Sequence, residues 1–162
     1  MQERPPVTLS SRLQTDLTTA IRDRDELRRD TLRMAIAAAY NVQKAAGREL
    51  TDDEMLAVLT REVKTRRESI EAYSAAGRTE AAAKEQAEVE IISVYLPAQL
   101  SEPEIDALVK ETIDEVGASS PRDMGKVMAA LTPRTRGRAD GKQVSAAVAR
   151  ELASRDLAGH GH

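Results

Sequence analysis

Apolar residues recur every three or four positions along nearly the whole chain, and this spacing constrains the fold more than any other feature. Leu9, Leu13, Leu17 and Ile21 show the pattern at its clearest, because they fall on one face of a helix. No segment shows the strict alternation of apolar and polar residues that is typical of a half-buried strand. The sequence therefore predicts an all-α fold.

Composition agrees with helix packing and excludes several classes of protein. Aromatic residues make up 2% of the chain and hydrophobic residues 41%, so the core must consist of Leu, Ile, Val, Met and Ala, whereas sheets favour aromatic and β-branched residues. The absence of Cys excludes disulfides and thiolate metal sites. No apolar run is long enough for a membrane span, and the first eight residues lack the apolar core of a signal peptide. We therefore expect a cytoplasmic location and no membrane partner.

Helix signals divide the predicted helices into two lobes. Four helices are expected over residues 1–96, with helical hairpins, and three short ones over residues 97–155, followed by a flexible tail at 156–162. Ser10 or Ser11 is a predicted cap of the first helix, and capping boxes are expected at Thr51 and Ser101. Helices are expected to end at Gly47, Gly77 and Gly117, and Asp140 is expected to cap the last helix.

Two faces are expected to pack inward. On the third helix the seam consists of Leu56, Leu59, Val63, Ile70 and Tyr73, and on the fourth helix the inward face consists of Ala87, Ile91 and Val94.

The sequence offers no catalytic machinery. It contains no Gly-rich phosphate loop and no HExxH motif, and its two histidines are His160 and His162 at the extreme C-terminus. A weak metal site at these two residues is one interpretation, and an unstructured tail is the other. We predict no catalytic residue, no metal site and no cofactor.

Charge reverses sign within the second lobe. Acidic residues dominate from 96 to 116, whereas residues 117–150 carry mainly Arg and Lys, in a chain whose net charge is −3. A local reversal of this kind can mark a surface that faces a polyanion. A second basic cluster, Arg61, Lys64, Arg66 and Arg67, is interrupted by acids and is interpreted as a salt-bridged helix surface, with Glu62 and Arg66 as a possible pair.

The segment 133–142 is the main candidate site. Arg134, Arg136 and Arg138 alternate, which in an extended chain would place three guanidinium groups on one side, roughly 6.6 Å apart. Gly137 and Gly141 would let the backbone approach a ligand, and Lys126 and Lys142 add positive charge. Because no aromatic residue lies beside these cations, nucleic-acid contacts are expected to be with the phosphate backbone. The alternative is an ordinary solvated loop between helices.

Several segments together resemble the GatB/YqeY family, over about residues 9–152. They are Thr31-Leu32-Arg33-Met34, Glu62–Ile70 (EVKTRRESI), Tyr95–Leu100 (YLPAQL), Gly117–Met128 (GASSPRDMGKVM) and Gly137–Lys142 (GRADGK). The best match is with free-standing YqeY-like proteins, and the same module forms the C-terminal helical part of GatB, a subunit of the glutamine-dependent tRNA amidotransferase.

The resemblance implies two helical lobes and a link to tRNA amidation, for which the family label is carbon–nitrogen ligase activity with glutamine as amido-nitrogen donor. This chain has no room for the domain that carries that chemistry, so the resemblance implies an accessory protein that binds tRNA and catalyses nothing alone. The alternative is a protein-interaction module that docks on amidotransferase or aminoacyl-tRNA synthetase subunits, an idea drawn from the thin three-helix lobe and its acidic first helix.

Overall fold

A computed structural model describes residues 7–159, and every regular element among them is helical, which confirms the all-α prediction. The chain divides into two compact units, residues 1–97 and 98–162. The N-terminal unit holds α1 (Leu9–Arg22), α2 (Glu26–Ala46), α3 (Asp52–Ala75) and α4 (Thr79–Ser93). The C-terminal unit holds α5 (Glu102–Val116), a 3₁₀ turn (Pro121–Asp123), α6 (Met124–Thr135) and α7 (Gly141–Gly159).

Local capping explains where the N-terminal helices begin. The hydroxyl of Thr8 accepts a hydrogen bond from the Ser11 amide at 3.1 Å, so the prediction of Ser10 or Ser11 as the α1 cap is wrong by two or three residues. The capping box of α3 is confirmed: Thr51 accepts from the Glu54 amide, and Glu54 accepts from the Thr51 amide. Gly47 ends α2, as predicted, with a φ of 71° that other residues rarely adopt.

The N-terminal core is aliphatic, as the composition predicts. Leu13, Leu32, Leu59 and Ile92 are its largest fully buried side chains, one from each helix. The predicted inward face of α4 is wrong at Val94, which is 66% exposed, because α4 ends at Ser93 and Tyr95 packs inward in its place. On α3 the buried face runs through Met55, Val58, Leu59 and Val63, so the predicted seam holds only in part.

The C-terminal unit has a core of its own from all three of its helices. Ile113, Val127, Leu131, Val148 and Leu152 are completely buried. Its capping box is confirmed, with Ser101 and Glu104 exchanging hydrogen bonds at the start of α5. The helix α7 continues to Gly159, so residues 156–159 of the expected flexible tail are helical.

The helix α7 extends because its last turns are tied down. Arg155 donates a hydrogen bond to Glu151 on α7 at 3.1 Å and another to Asp114 on α5 at 2.5 Å. Over residues 7–159, no helix combines the length and the apolar character that crossing a bilayer requires.

Candidate nucleic-acid interface

The segment 133–142 is a tight helix-to-helix connection. Residues 133–135 form the last turn of α6, and the amides of Arg136 and Ala139 continue the i−4 pattern by donating to the carbonyls of Thr132 and Thr135. Asp140 then caps α7 by accepting from the Gln143 amide at 3.4 Å. The extended geometry that would place three guanidinium groups on one side is therefore absent here, because the helical backbone bonds give the chain a compact path.

Arg134 lies against α5. Its guanidinium donates to the Thr112 hydroxyl at 3.0 Å and pairs with Glu115 at 3.2 Å and Glu111 at 3.3 Å. Two carboxylates thus neutralise this side chain, which is 35% exposed. Arg134 holds α6 to α5, and it would have to exchange these partners to bind a phosphate.

Arg138 fastens the connection to the segment that precedes α5. Its Nε donates to the Ala98 carbonyl at 3.2 Å, and its Nη1 donates to the Arg134 carbonyl at 3.4 Å. Its own carbonyl accepts from the Leu100 amide at 2.8 Å, and the Gln99 side chain donates to the Gly137 carbonyl at 2.7 Å. The two family-like segments YLPAQL and GRADGK therefore meet through hydrogen bonds from both sides.

The two glycines of the candidate site differ. Gly137 has a φ of 74°, is buried and ends the α6 turn, so the expectation that it lets the backbone approach a ligand is wrong. Gly141 is exposed at the start of α7, and a Cβ atom added there would meet nothing within 4 Å. Room for a ligand near the backbone therefore exists at Gly141.

Two exposed cations lie in this connection, and a third lies in the first turn of α6. Lys126, Arg136 and Lys142 are all exposed. Asp123 lies close enough to Lys126 for the lysine charge to help lower the Asp123 pKa, although the Ser119 amide is the larger cause. The role of these three exposed side chains in nucleic-acid binding stays a prediction.

Most of the acidic side chains of α5 form ion pairs within the C-terminal unit. Glu111 and Glu115 pair with Arg134, Asp114 pairs with Arg155, and Asp106 lies 3.8 Å from Arg150. The charge reversal along the sequence is thus, in the structure, a set of contacts from α5 to α6 and α7. It leaves α5 with less free charge to offer a partner than the sequence suggests.

The basic cluster on α3 is only partly a surface. Arg66 is buried and donates to Glu62 at 2.6 Å, which confirms that possible pair, and to Glu88 on α4 at 3.2 Å. Glu88 is also buried, and sequence reasoning missed it because it lies on a different helix. Arg61 and Arg67 are exposed, and Lys64 pairs with Glu68 at 3.4 Å.

Residues 7–159 contain no group of three His, Asp or Glu side chains that could hold a metal ion. His160 and His162, for which a weak metal site and an unstructured tail were the two interpretations, lie outside the described residues.

Comparison with known proteins places the chain in a family. The sequence model described as "Yqey-like protein" matches residues 10–152. The chain belongs to the YqeY-like family. This confirms the resemblance carried by the five segments, and it supports neither tRNA binding nor amidation by itself.

Two relatives of this YqeY-like chain carry the name "Altered inheritance of mitochondria protein 41, mitochondrial". The one from Pyrenophora tritici-repentis is 32% identical over 136 residues, which cover 80% of this chain and 75% of the relative. The one from Lachancea thermotolerans is 33% identical over 113 residues, which cover 67% of this chain and 60% of the relative. Both names are those of mitochondrial proteins, and this finding overturns the expectation of a cytoplasmic location.

Proposed function

We propose that this YqeY-like protein binds tRNA as an accessory of glutamine-dependent tRNA amidation and has no catalytic centre of its own. The observation that carries the proposal is the pair of exposed cations, Arg136 and Lys142, on a connection that hydrogen bonds hold in place, with Lys126 also exposed in the first turn of α6. A rigid turn presents charges at fixed positions, which suits a polyanion of defined shape.

Arg134 and Arg138 have a different part in this proposal from the one that their sequence positions suggest. Both guanidinium groups bind acceptors within the C-terminal unit, so they shape the connection. Lys126, Arg136 and Lys142 then contact phosphates. Three such contacts predict that the logarithm of affinity falls with the logarithm of salt concentration with a slope of about −2 to −3.

The test is a titration of labelled tRNA at several salt concentrations. The triple variant Lys126→Glu, Arg136→Glu, Lys142→Glu is compared with wild type and with a control variant, Arg22→Glu, Arg61→Glu, Arg67→Glu. The control changes the net charge by the same amount at exposed positions of the N-terminal unit. We expect the first variant to lose at least about tenfold in affinity and most of the salt slope, because each lost phosphate contact removes part of both. Equal losses in both variants would show that only net charge matters and would overturn the assignment.

The alternative is docking on amidotransferase or synthetase subunits, and the thin C-terminal unit still supports it. The acidic charge of α5 supports it less, because these acids form ion pairs within the same unit. Co-purification that survives nuclease treatment and fails after deletion of residues 98–162 would favour docking. Association that nuclease abolishes would favour RNA. In either case we expect no glutamine-dependent amidation of Glu-tRNA by the pure protein.

A further inference from the structure

The three tyrosines of the chain have different surroundings. Tyr95 is buried, with its hydroxyl bonded to Asp16 and the Arg12 guanidinium 5.2 Å from its ring centre. Tyr73 is half-buried and carries Arg78 at 5.1 Å from its ring centre. Tyr40 on α2 is 60% exposed, and within residues 7–159 no cation or hydrogen-bond donor covers it. One aromatic ring is therefore available to a ligand in a chain that has very few.

Tyr40 lies on an exposed stripe of α2 with two cations. Arg33, Ala37, Tyr40 and Lys44 are all exposed and follow one another at spacings of four, three and four residues. At 100° per residue these side chains fall within about 60° of one another around the helix axis. Arg33 and Lys44 are about 16 Å apart along the axis, with the ring between them. We call these four residues the α2 stripe.

The cations of the α2 stripe are not consumed by ion pairs. Neither Arg33 nor Lys44 forms one within the described residues 7–159. Asp30, one turn before Arg33, is bonded to Arg29 at 2.9 Å, and the charges of Arg33 and of Lys84 on α4 also act on it at longer range. The stripe is thus a basic surface with an open aromatic ring in a chain of net charge −3.

We propose that the α2 stripe binds an unpaired segment of RNA, with a base stacked on Tyr40 and phosphates beside Arg33 and Lys44. An aromatic face binds any unstacked base, and cations that flank it along a groove or helix neutralise the backbone on both sides. A duplex hides its base faces in the stack, so the ring selects single-stranded or looped RNA. An acidic peptide would use the two cations without needing the ring, and the tests below separate it from RNA.

The inference shares with the proposed function the premise that RNA is a ligand, but it concerns a different unit and a different surface. Its variants lie on α2, whereas those of the proposed function lie at positions 126, 136 and 142. Loss of tRNA binding only in the α2 variants would refute the C-terminal assignment and support the α2 stripe. Loss only in the C-terminal variants would do the reverse.

The first experiment uses fluorescence. The chain has no Trp, so Tyr40→Trp introduces a single indole at the proposed stacking position. We expect a single-stranded uridine oligonucleotide to quench this indole saturably, and a blunt RNA duplex of equal phosphate number to leave it nearly unchanged. Tyr73→Trp is the matched control and should not respond, since Arg78 covers that ring. Equal responses to duplex and single strand, or no response, would overturn the proposal.

The second experiment measures affinity for the same oligonucleotide. Tyr40→Ala should weaken binding by about 5- to 100-fold, the range that removal of a stacked base contact produces, and Tyr40→Phe should bind like wild type. Arg33→Gln with Lys44→Gln should reduce the salt slope by about 1.4, since two phosphate contacts to a single strand are lost. Wild-type affinity in Tyr40→Ala, with loss only in the charge variant, would indicate an anion site without base stacking and would contradict the proposal.

Discussion

Arg66 is a buried cation between the carboxylates of Glu62 and Glu88 in the N-terminal unit. Its side chain is 7% exposed, and Glu88 beside it is 8% exposed. Its Nη2 also lies 3.9 Å from the sulfur of Met34. Removal of Arg66 would leave Glu88 without its cation in a site that water barely reaches, and such a charge is strongly unfavourable.

We therefore expect Arg66→Ala to lower the free energy of unfolding by about 3–5 kcal/mol. Urea denaturation followed by circular dichroism measures this change. The neighbour Arg67 is exposed, and Arg67→Ala should stay within about 0.5 kcal/mol of wild type. A small effect of Arg66→Ala, like that of the control, would show that water or a rearranged partner satisfies Glu88.

Glu54 provides a pH-dependent prediction. The guanidinium of Arg48 and the amide of Thr51 stabilise its carboxylate and lower the Glu54 pKa to about 2. Because this pKa lies below the value of about 4.3 for an unfolded chain, Glu54 stabilises the fold above that value, and its contribution is lost as the pH falls towards 2. Glu54→Gln should thus melt at a lower temperature than wild type near neutral pH, and the two melting temperatures should converge at about pH 2. A constant difference at all pH values would contradict this account.

Residues whose partners are local could be predicted from the sequence, and residues whose partners are distant could not. The capping box of Thr51 and Glu54 depends on a spacing of three residues, which the sequence shows directly. Arg66 and Glu88 are 22 residues apart, and Arg134 and Thr112 are also 22 apart, so only packing of the helices reveals those pairs. The open ring of Tyr40 was likewise invisible, because nothing in its local sequence separates it from Tyr73.

At the scale of elements, helices with clear start and stop signals were predicted closely, whereas the α6–α7 connection was not. The bounds of α2 follow from the polar residues before it and Gly47 after it. Between α6 and α7, Pro133 and Gly137 indicate a break, but Pro133 lies within the last part of α6. The connection stays compact because Gln99 and Leu100 bond to it, and those bonds come from outside the local sequence.

Gly137 and Gly125 form a matched pair that tests this connection. Gly137 has a φ of 74°, in a region where other residues are strained, so Gly137→Ala should destabilise the protein by about 1–2 kcal/mol. Gly125 lies in α6, and a Cβ atom added there would meet no other atom within 4 Å, so Gly125→Ala should stabilise the protein by about 0.4–1 kcal/mol. Thermal unfolding of both variants measures the sign of each change in stability. If both substitutions change stability in the same direction, the φ value does not restrict which residue position 137 can hold.

At the scale of the whole molecule, each unit has an aliphatic core built from its own residues. Leu59 is completely buried in the N-terminal core, and Ile113 is completely buried in the C-terminal core. The sequence indicated this composition almost completely, because a chain with three Tyr and no Phe or Trp must bury mainly aliphatic residues, and Tyr95 is the aromatic exception in the N-terminal core. The location predicted from the sequence was wrong. That prediction depended on a short N-terminal segment, whereas both relatives are named as mitochondrial proteins.

Because the two cores share no residues, a cavity in one core should lower the stability of that unit most. Leu59→Ala and Ile113→Ala should each remove about 2–5 kcal/mol from the stability of the core concerned, because the lost side chain leaves a cavity. Hydrogen exchange read by mass spectrometry should then show faster exchange in α1–α4 for Leu59→Ala and in α5–α7 for Ile113→Ala, because exchange follows the stability of each cooperative unit. Leu157→Ala, at a side chain 75% exposed, is the control and should change neither pattern. If Leu59→Ala accelerates exchange equally from α1 to α7, the two cores unfold as one cooperative unit, and the surfaces proposed on α2 and around the α6–α7 connection then depend on the same global stability.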